Sequence, residues 1–251
     1  MASLPSRQKV SETLLDAFFP PRCGGCSRFS KAMFCEFCRP RLRRLGYPRC
    51  RICGMAFDPN TLPAPECADC RANRYHAAPA FAAARSLYYF EGPLRDAVHR
   101  FKYAECTSLA AGLGGEIADL VRTDLVFSAM EFAAVVPVPL HPIRRWRRGF
   151  NQSELLAEAF ARRTGVPMVP LLGRPRLTPT QVGLSKVERA ANVRGIFEAD
   201  SARLERSGAR GRPVLVIDDV FTTGATLAEC ARTLRKAGTG PVYAVTVARE
   251  A

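Results

Sequence analysis

The chain has 251 residues, a length that suits one sizeable α/β domain with a small appendage. Apolar residues make up 47% and charged residues 24%, and this balance excludes a wholly disordered chain. The 37 lysines and arginines outnumber 23 acidic residues, which favours a polyanionic partner: nucleic acid, or a small ligand with several phosphates. Composition alone can also produce such a charge.

The first 19 residues do not have the layout of a signal peptide, because Lys9, Glu12 and Asp16 interrupt them. We find no run of about 18 uncharged apolar residues that would predict a membrane helix. We therefore expect a cytoplasmic protein without membrane insertion. A reducing compartment disfavours structural disulfides, so the ten cysteines indicate metal ligation first.

Eight of the cysteines form four CxxC pairs between residues 23 and 70: Cys23 and Cys26, Cys35 and Cys38, Cys50 and Cys53, Cys67 and Cys70. Two cysteines separated by two residues can turn both sulfurs toward one ion, and tetrahedral Zn²⁺ takes four sulfurs at about 2.3 Å. The sequence predicts two structural zinc ions. Sequential sharing of the pairs would make two zinc ribbons, while an interleaved cross-brace uses the same residues and stays open.

The end of the cysteine-rich region predicts a domain boundary near residues 71–79. Prolines divide the residues before it into short segments that need a metal to hold them. We expect a double zinc ribbon domain over 1–75 and a second domain over 76–251.

The second domain alternates between helical and strand patterns. Helices are predicted over 92–103, 108–126, 153–164 and 223–237, and strands over 132–138, 166–172, 193–197, 213–217 and 242–247. Residues 201–212 are polar and are predicted to be a connection. Strands that alternate with helices favour an α/β fold with a mostly parallel sheet and helices on both faces.

The most informative motif is the segment PVLVIDDVFTTGATL, which follows a buried strand. Asp218 and Asp219 end the strand, and a turn then opens a helix. The N-terminus of a helix offers free N–H groups and a positive dipole to a phosphate, and Gly224 allows the backbone to approach it closely. The turn, which also supplies hydroxyl donors, comprises Thr222, Thr223, Gly224, Ala225 and Thr226.

Carboxylates beside a phosphate cradle would repel the phosphate unless they face another part of the ligand. A ribose supplies that part, because paired acids can accept hydrogen bonds from its 2′ and 3′ hydroxyls. The motif therefore predicts a site for a ribose phosphate. The Walker A string and the Rossmann glycine fingerprint are both missing from the sequence.

The segment IDDVFTTGAT resembles the phosphoribosyl pyrophosphate (PRPP) motif of type I phosphoribosyltransferases. Most of the chain resembles one branch, the ComF competence-protein family, in which a double zinc ribbon precedes a phosphoribosyltransferase-like domain. The strings that carry this resemblance, besides the cysteines and the PRPP motif, are GPLR at 92–95, FKY at 101–103, PVPL at 137–140, RRGFNQ at 147–152, and QVGLS at 181–185 with Arg189 and Asn192.

The resemblance implies PRPP as the ligand, with Mg²⁺ accompanying its pyrophosphate. It places a pyrophosphate loop in the basic stretch that ends at Arg148, and a flexible closing loop over 178–192. Catalytic candidates carried over in this way are Arg148, Arg189 and Lys102. In purine salvage relatives an aspartate occupies the place of Thr222 and acts on the base, so that proton transfer is not carried over.

Two interpretations of function remain open from the sequence. The first is a PRPP-binding protein linked to DNA uptake and natural transformation, with possible transfer of phosphoribosyl to an unidentified acceptor and with single-stranded DNA and the uptake machinery as possible partners. The second is a non-catalytic nucleic-acid-binding adaptor that uses the ribose-phosphate pocket for sensing or strand binding. Zinc ribbons, positive charge and aromatic residues near basic ones would serve the second interpretation.

Overall fold

The structure, a computed structural model, describes residues 21–58, 60, 65–72, 80–103, 107–176 and 193–250. Its α-helices there are α1 (Ala68–Arg71), α2 (Gly92–Lys102), α3 (Leu109–Thr123), α4 (Pro142–Arg148), α5 (Gln152–Thr164), α6 (Ser201–Arg206) and α7 (Ala225–Ala237). Its strands are β1 (Ala83–Tyr89), β2 (Ala134–Pro137), β3 (Leu172–Gly173), β4 (Glu198–Ala199), β5 (Val214–Phe221) and β6 (Val242–Arg249). None of these helices is long and apolar enough to span a bilayer.

The main sheet has the strand order β1-β6-β5-β2, and all of its strand pairs are parallel. Met168 continues it past β2 through a parallel bridge to Val135. β3 and β4 form a separate antiparallel pair. Because parallel strands share one carboxyl edge, residues that follow β2 and β5 meet there, which is where open α/β sheets bind ligands. The predicted mostly parallel α/β fold is confirmed.

Helices cover both faces of the main sheet. Leu215 and Ile217 of β5 join a core with side chains of α2, α3 and α5. Val214 and Val216, which point the other way on the same strand, join a second core with side chains of α7. A strand buried on both faces shows a continuous apolar run, as the first four residues of β5 do.

The two cysteine groups pack into different cores. Cys23, Cys35 and Cys38 join the core of α2, α3 and α5, whereas Cys50, Cys53 and Cys70 join the core of α7. The segment between the groups runs along the edge of β1, where Leu45 N–H donates to the Leu87 carbonyl at 3.1 Å. The ribbon region is therefore docked on the sheet.

A buried ionic cluster fastens the second cysteine group to β1. Asp124 Oδ2 lies 2.8 Å from Arg85 Nε and 2.5 Å from an Arg49 nitrogen, and the three side chains are at most 5% exposed. Burial opposes ionisation of Asp124, but the hydrogen bond and charge of Arg85 and the charge of Arg49 outweigh it, so the Asp124 pKa is lowered. Nearby, Gly54 has φ +71°, and a Cβ there would lie 2.6 Å from the Ala84 carbonyl oxygen.

Several predicted elements differ from the structure. β1 was not predicted, because AARSLYY contains none of the β-branched residues typical of strands. The prediction of a strand over 193–197 was wrong: residues 193–195 form a turn, and the strand is Glu198–Ala199. The basic stretch predicted as a loop contains α4, and the polar connection contains α6, capped by Asp200 through the Arg203 N–H. The predicted closing loop and the predicted domain boundary at 75/76 lie outside the described residues.

Candidate functional site

The eight paired cysteines form two compact groups of four, each with all sulfurs within 4.8 Å of one another. The groups are Cys23, Cys26, Cys35 and Cys38, and Cys50, Cys53, Cys67 and Cys70. Four sulfurs at about 2.3 Å from one tetrahedral zinc lie about 3.8 Å apart. The sulfurs of Cys26 and Cys35 and those of Cys50 and Cys70 are 3.7 Å apart, so the spacing fits. Sequential pairing is confirmed, and both groups fit structural Zn²⁺.

The acidic pair lies near the carboxyl end of β5. Ser153 Oγ donates to Asp218 Oδ1 at 2.9 Å, and the Asp219 N–H donates to the same oxygen at 2.9 Å. Burial, followed by the charge of Asp219, raises the pKa of Asp218 to about 7 despite these two donors. Asp218 therefore changes its charge near neutral pH.

The turn 222–226 connects β5 to α7. Gly224 precedes the helix with φ +76°, and a Cβ there would come within 2.7 Å of the Phe221 ring. Thr223 Oγ1 accepts from the Ala225 N–H at 3.4 Å, a long hydrogen bond that a stronger acceptor can replace. Thr222 and Thr226 are half-buried. The turn therefore leads into the N-terminus of α7 through a glycine in the left-handed conformation.

Two of the three predicted catalytic residues lie beside the acids. Lys102, the last residue of α2, places Nζ 3.2 Å from Asp219 Oδ2. Arg148, the last residue of α4, donates to Gln152 Oε1 at 2.6 Å. Burial lowers the pKa of Arg148, while the charge of Asp219 opposes this effect. Arg189 lies outside the described residues.

The structure adds two residues to the site that the sequence did not indicate as site residues. Ser153 contacts Asp218, and Gln152 contacts Arg148, both from the first turn of α5. Asn151 fixes this turn, because its side chain accepts from the Ser153 N–H and donates to the Val138 carbonyl. The available signal was positional: α5 begins beyond the carboxyl end of β2, which pairs with β5.

The family model of the double zinc ribbon domain matches residues 14–73. Competence protein F of Haemophilus influenzae is 30% identical over 240 residues, which cover 92% of this chain and 98% of that protein. DNA utilization protein YhgH of Escherichia coli K12 is 30% identical, with coverage of 83% and 86%. Competence protein ComFC of Bacillus subtilis is 29% identical, with coverage of 81% and 78%.

Among solved structures, the chain is similar to glutamine PRPP amidotransferase from B. subtilis, complexed with ADP and GMP. The identity is 23%, the match covers 55% of this chain and 26% of that one, and the TM-score is 0.37. The three relatives match over 81–92% of this chain. The chain therefore belongs to the ComF competence-protein family.

Proposed function

We propose that this protein binds PRPP at the carboxyl edge of its sheet. The observation that carries the proposal is the pair Asp218 and Asp219, which lie in the carboxyl-terminal half of a parallel strand, with two residues between them and the turn 222–226. The carboxylates accept the ribose hydroxyls, and the turn takes the 5′-phosphate at the N-terminus of α7. Both halves of one sugar phosphate then have partners.

The pyrophosphate lies on the basic side of the site, near Lys102 and Arg148. Lys102 pairs with Asp219 and is 31% exposed, so its flexible side chain can turn from that carboxylate to a phosphate. The Arg148 guanidinium, with Arg189 from 178–192, offers the forked donors that suit phosphate oxygens. Mg²⁺ accompanies the pyrophosphate and neutralises part of its charge.

Calorimetric titration with PRPP and Mg²⁺ tests this proposal. We expect saturable heat at one ligand per chain, and a loss of affinity of about tenfold or more in Asp218→Asn and in Asp219→Asn, because a hydrogen bond to a charged group contributes about 1.5–3 kcal/mol. Asp119→Asn is the matched control, since Asp119 is half-exposed on α3 and pairs only weakly with Arg122 and Arg163. No heat in the parent, or equal affinity in all three variants, would reject the site.

We place this activity in DNA uptake, because relatives are named competence and DNA utilization proteins. Zinc-binding thiolates suit a reducing compartment, so the cytosol is the proposed location. We further propose two domains, a double zinc ribbon over 1–75 that is stabilised by metal and a PRPP-binding domain over 76–251.

Single-stranded DNA is the second candidate ligand, favoured by exposed aromatic residues that lie under arginines. Phe29 is 68% exposed with Arg22 4.7 Å from its centroid, and Phe37 is 61% exposed with Arg28 at 5.4 Å. Such pairs can stack on bases and contact phosphates.

We expect oligonucleotide affinity to fall steeply with added salt, and Phe29→Ala with Phe37→Ala to weaken it further. Fluorescence anisotropy between 50 and 300 mM salt measures both effects. Affinity that stays flat with salt would count against this adaptor function. Leu125→Ala serves as the control, because it also removes an exposed apolar side chain but lies outside the ribbons and the ribose-phosphate site.

A further inference from the structure

A buried arginine lies between the second cysteine group and the turn 222–226. Arg249 ends β6, is 2% exposed, and stands in register with Phe221 at the end of β5. A guanidinium removed from water needs strong contacts in compensation. Its neighbours therefore show what holds this side chain in place.

On one side Arg249 reaches the metal-binding knuckle. Its guanidinium donates to the Cys53 carbonyl at 2.6 Å and lies 3.6 Å from the Cys53 sulfur. A zinc-bound cysteine is a thiolate, which is a good partner for a cation, and groups that contact metal ligands orient them. The same knuckle is fixed to β1, where the Ala84 N–H donates to the Ile52 carbonyl at 2.6 Å.

On the other side Arg249 reaches the candidate phosphate turn. The guanidinium carbon lies 4.1 Å from the centroid of the buried Phe221 ring, a cation–π contact. The same ring lies against Gly224, as the 2.7 Å approach of a Cβ built there shows. Two buried side chains thus connect a predicted zinc ligand to the backbone of the turn.

We infer that Arg249 is a positioning residue that couples metal occupancy of the second cysteine group to the shape of the turn 222–226. With metal bound, Cys53 holds Arg249, and Arg249 holds the Phe221 ring beneath Gly224. The turn is then ordered before a phosphate arrives. Without metal, the acceptors on Cys53 shift and this support is lost. The first cysteine group packs in the opposite core and does not take part.

Hydrogen exchange of the ligand-free, full-length protein tests the inference directly. In Arg249→Met, which keeps the length of the side chain and loses the charge, we expect amides of 222–226 to exchange about tenfold faster while amides of β2 are unchanged. Metal analysis should still find two zinc ions per chain. Arg249→Lys keeps the charge near the ring and should give an intermediate rate.

Arg85→Met is the matched control. Arg85 is 3% exposed and also joins the sheet to the second cysteine group, through the Arg51 carbonyl, but its ring contact is with Phe127. This variant should lower the overall stability without selectively accelerating amide exchange in the turn 222–226. Equal acceleration in both variants, or none in Arg249→Met, overturns the inference.

A further variant covers the case in which Arg249→Met does not fold. Phe221→Leu removes the ring and keeps an apolar side chain. It should accelerate the same amides with unchanged zinc content, and parent-like exchange there overturns the inference.

The ligand-dependent arm rests on the proposed function. Because coupling between two binding sites is reciprocal, saturating PRPP with Mg²⁺ should tighten one of the two zinc sites about tenfold in competition with a chromophoric chelator. Arg249→Met should lose this tightening, and its persistence there counts against the inference. If the parent binds no PRPP, the proposed function fails, while the exchange experiment still decides the role of Arg249.

Discussion

The two adjacent carboxylates at the end of β5 have different chemical roles because their surroundings differ. Asp218 is held by two donors and titrates near neutral pH, mainly because of burial and then because of its neighbour's charge. Asp219 is 15% exposed and pairs with Lys102. A ligand that supplies hydroxyl donors needs the ionised form of Asp218, so binding is linked to its protonation.

PRPP affinity should therefore increase as pH rises through about 7 and become constant above about 8. The reason is that the folded protein binds a proton at Asp218 below this range, and the ligand must displace it. Asp219→Asn removes the neighbouring charge, so the midpoint should move to lower pH. Calorimetry at fixed ionic strength from pH 5.5 to 8.5 measures both midpoints.

The phosphates of the ligand also titrate, and Asp218→Asn shows their share of the pH dependence. A midpoint near 7 that survives in Asp218→Asn would mean that the ligand, rather than Asp218, is responsible. Unchanged midpoints in Asp219→Asn would contradict the assigned coupling between the two carboxylates.

Helices and strands are predicted correctly from the sequence where the local signal is strong, such as apolar periodicity or a clear helix cap. The predicted bounds of α2 and α5 agree with the structure within a residue or two, because both helices have apolar periodicity. The ends of α5 are also clearly marked, by Asn151 as the N-terminal cap and by Gly165 in the left-handed conformation. β5 was predicted from a continuous apolar run and β6 as a further strand, and both extend beyond the predicted carboxyl ends.

The wrong predictions have a common physical cause. Where the local sequence pattern is weak, tertiary contacts determine the secondary structure. β1 acquires strand structure from pairing with β6 and from the segment around Leu45. α4 is a short basic helix, started by His141 and ended by Gly149, and Trp146 in it is 83% exposed.

At the scale of the whole molecule, the ribbon region and the sheet are held together by a buried charge cluster around Asp124. One carboxylate serves two arginines there, one before the second cysteine group and one in β1. Removal of one member of a buried ionic cluster leaves uncompensated charge and costs about 3–5 kcal/mol. The two parts should consequently unfold together.

We expect Asp124→Asn to lower the free energy of unfolding by about 3 kcal/mol, because Arg49 and Arg85 would remain buried without a carboxylate. Urea denaturation followed by circular dichroism measures the change. Asp119→Asn, which affects exposed pairs, should change stability by about 0.5 kcal/mol or less. Equal effects of the two substitutions would show that the cluster does not hold the parts together.

The sequence by itself determined the cysteine spacing, the parallel α/β pattern and the acidic strand end with its threonine turn, because these depend on residue type and short-range geometry. The tertiary structure alone decided which pairs of cysteines come together, that Ser153 and Lys102 meet the acids, and that Arg249 reaches Cys53. These contacts join residues up to 196 positions apart. Only the packing of the sheet and its covering layers determines such distances, because no local pattern encodes them.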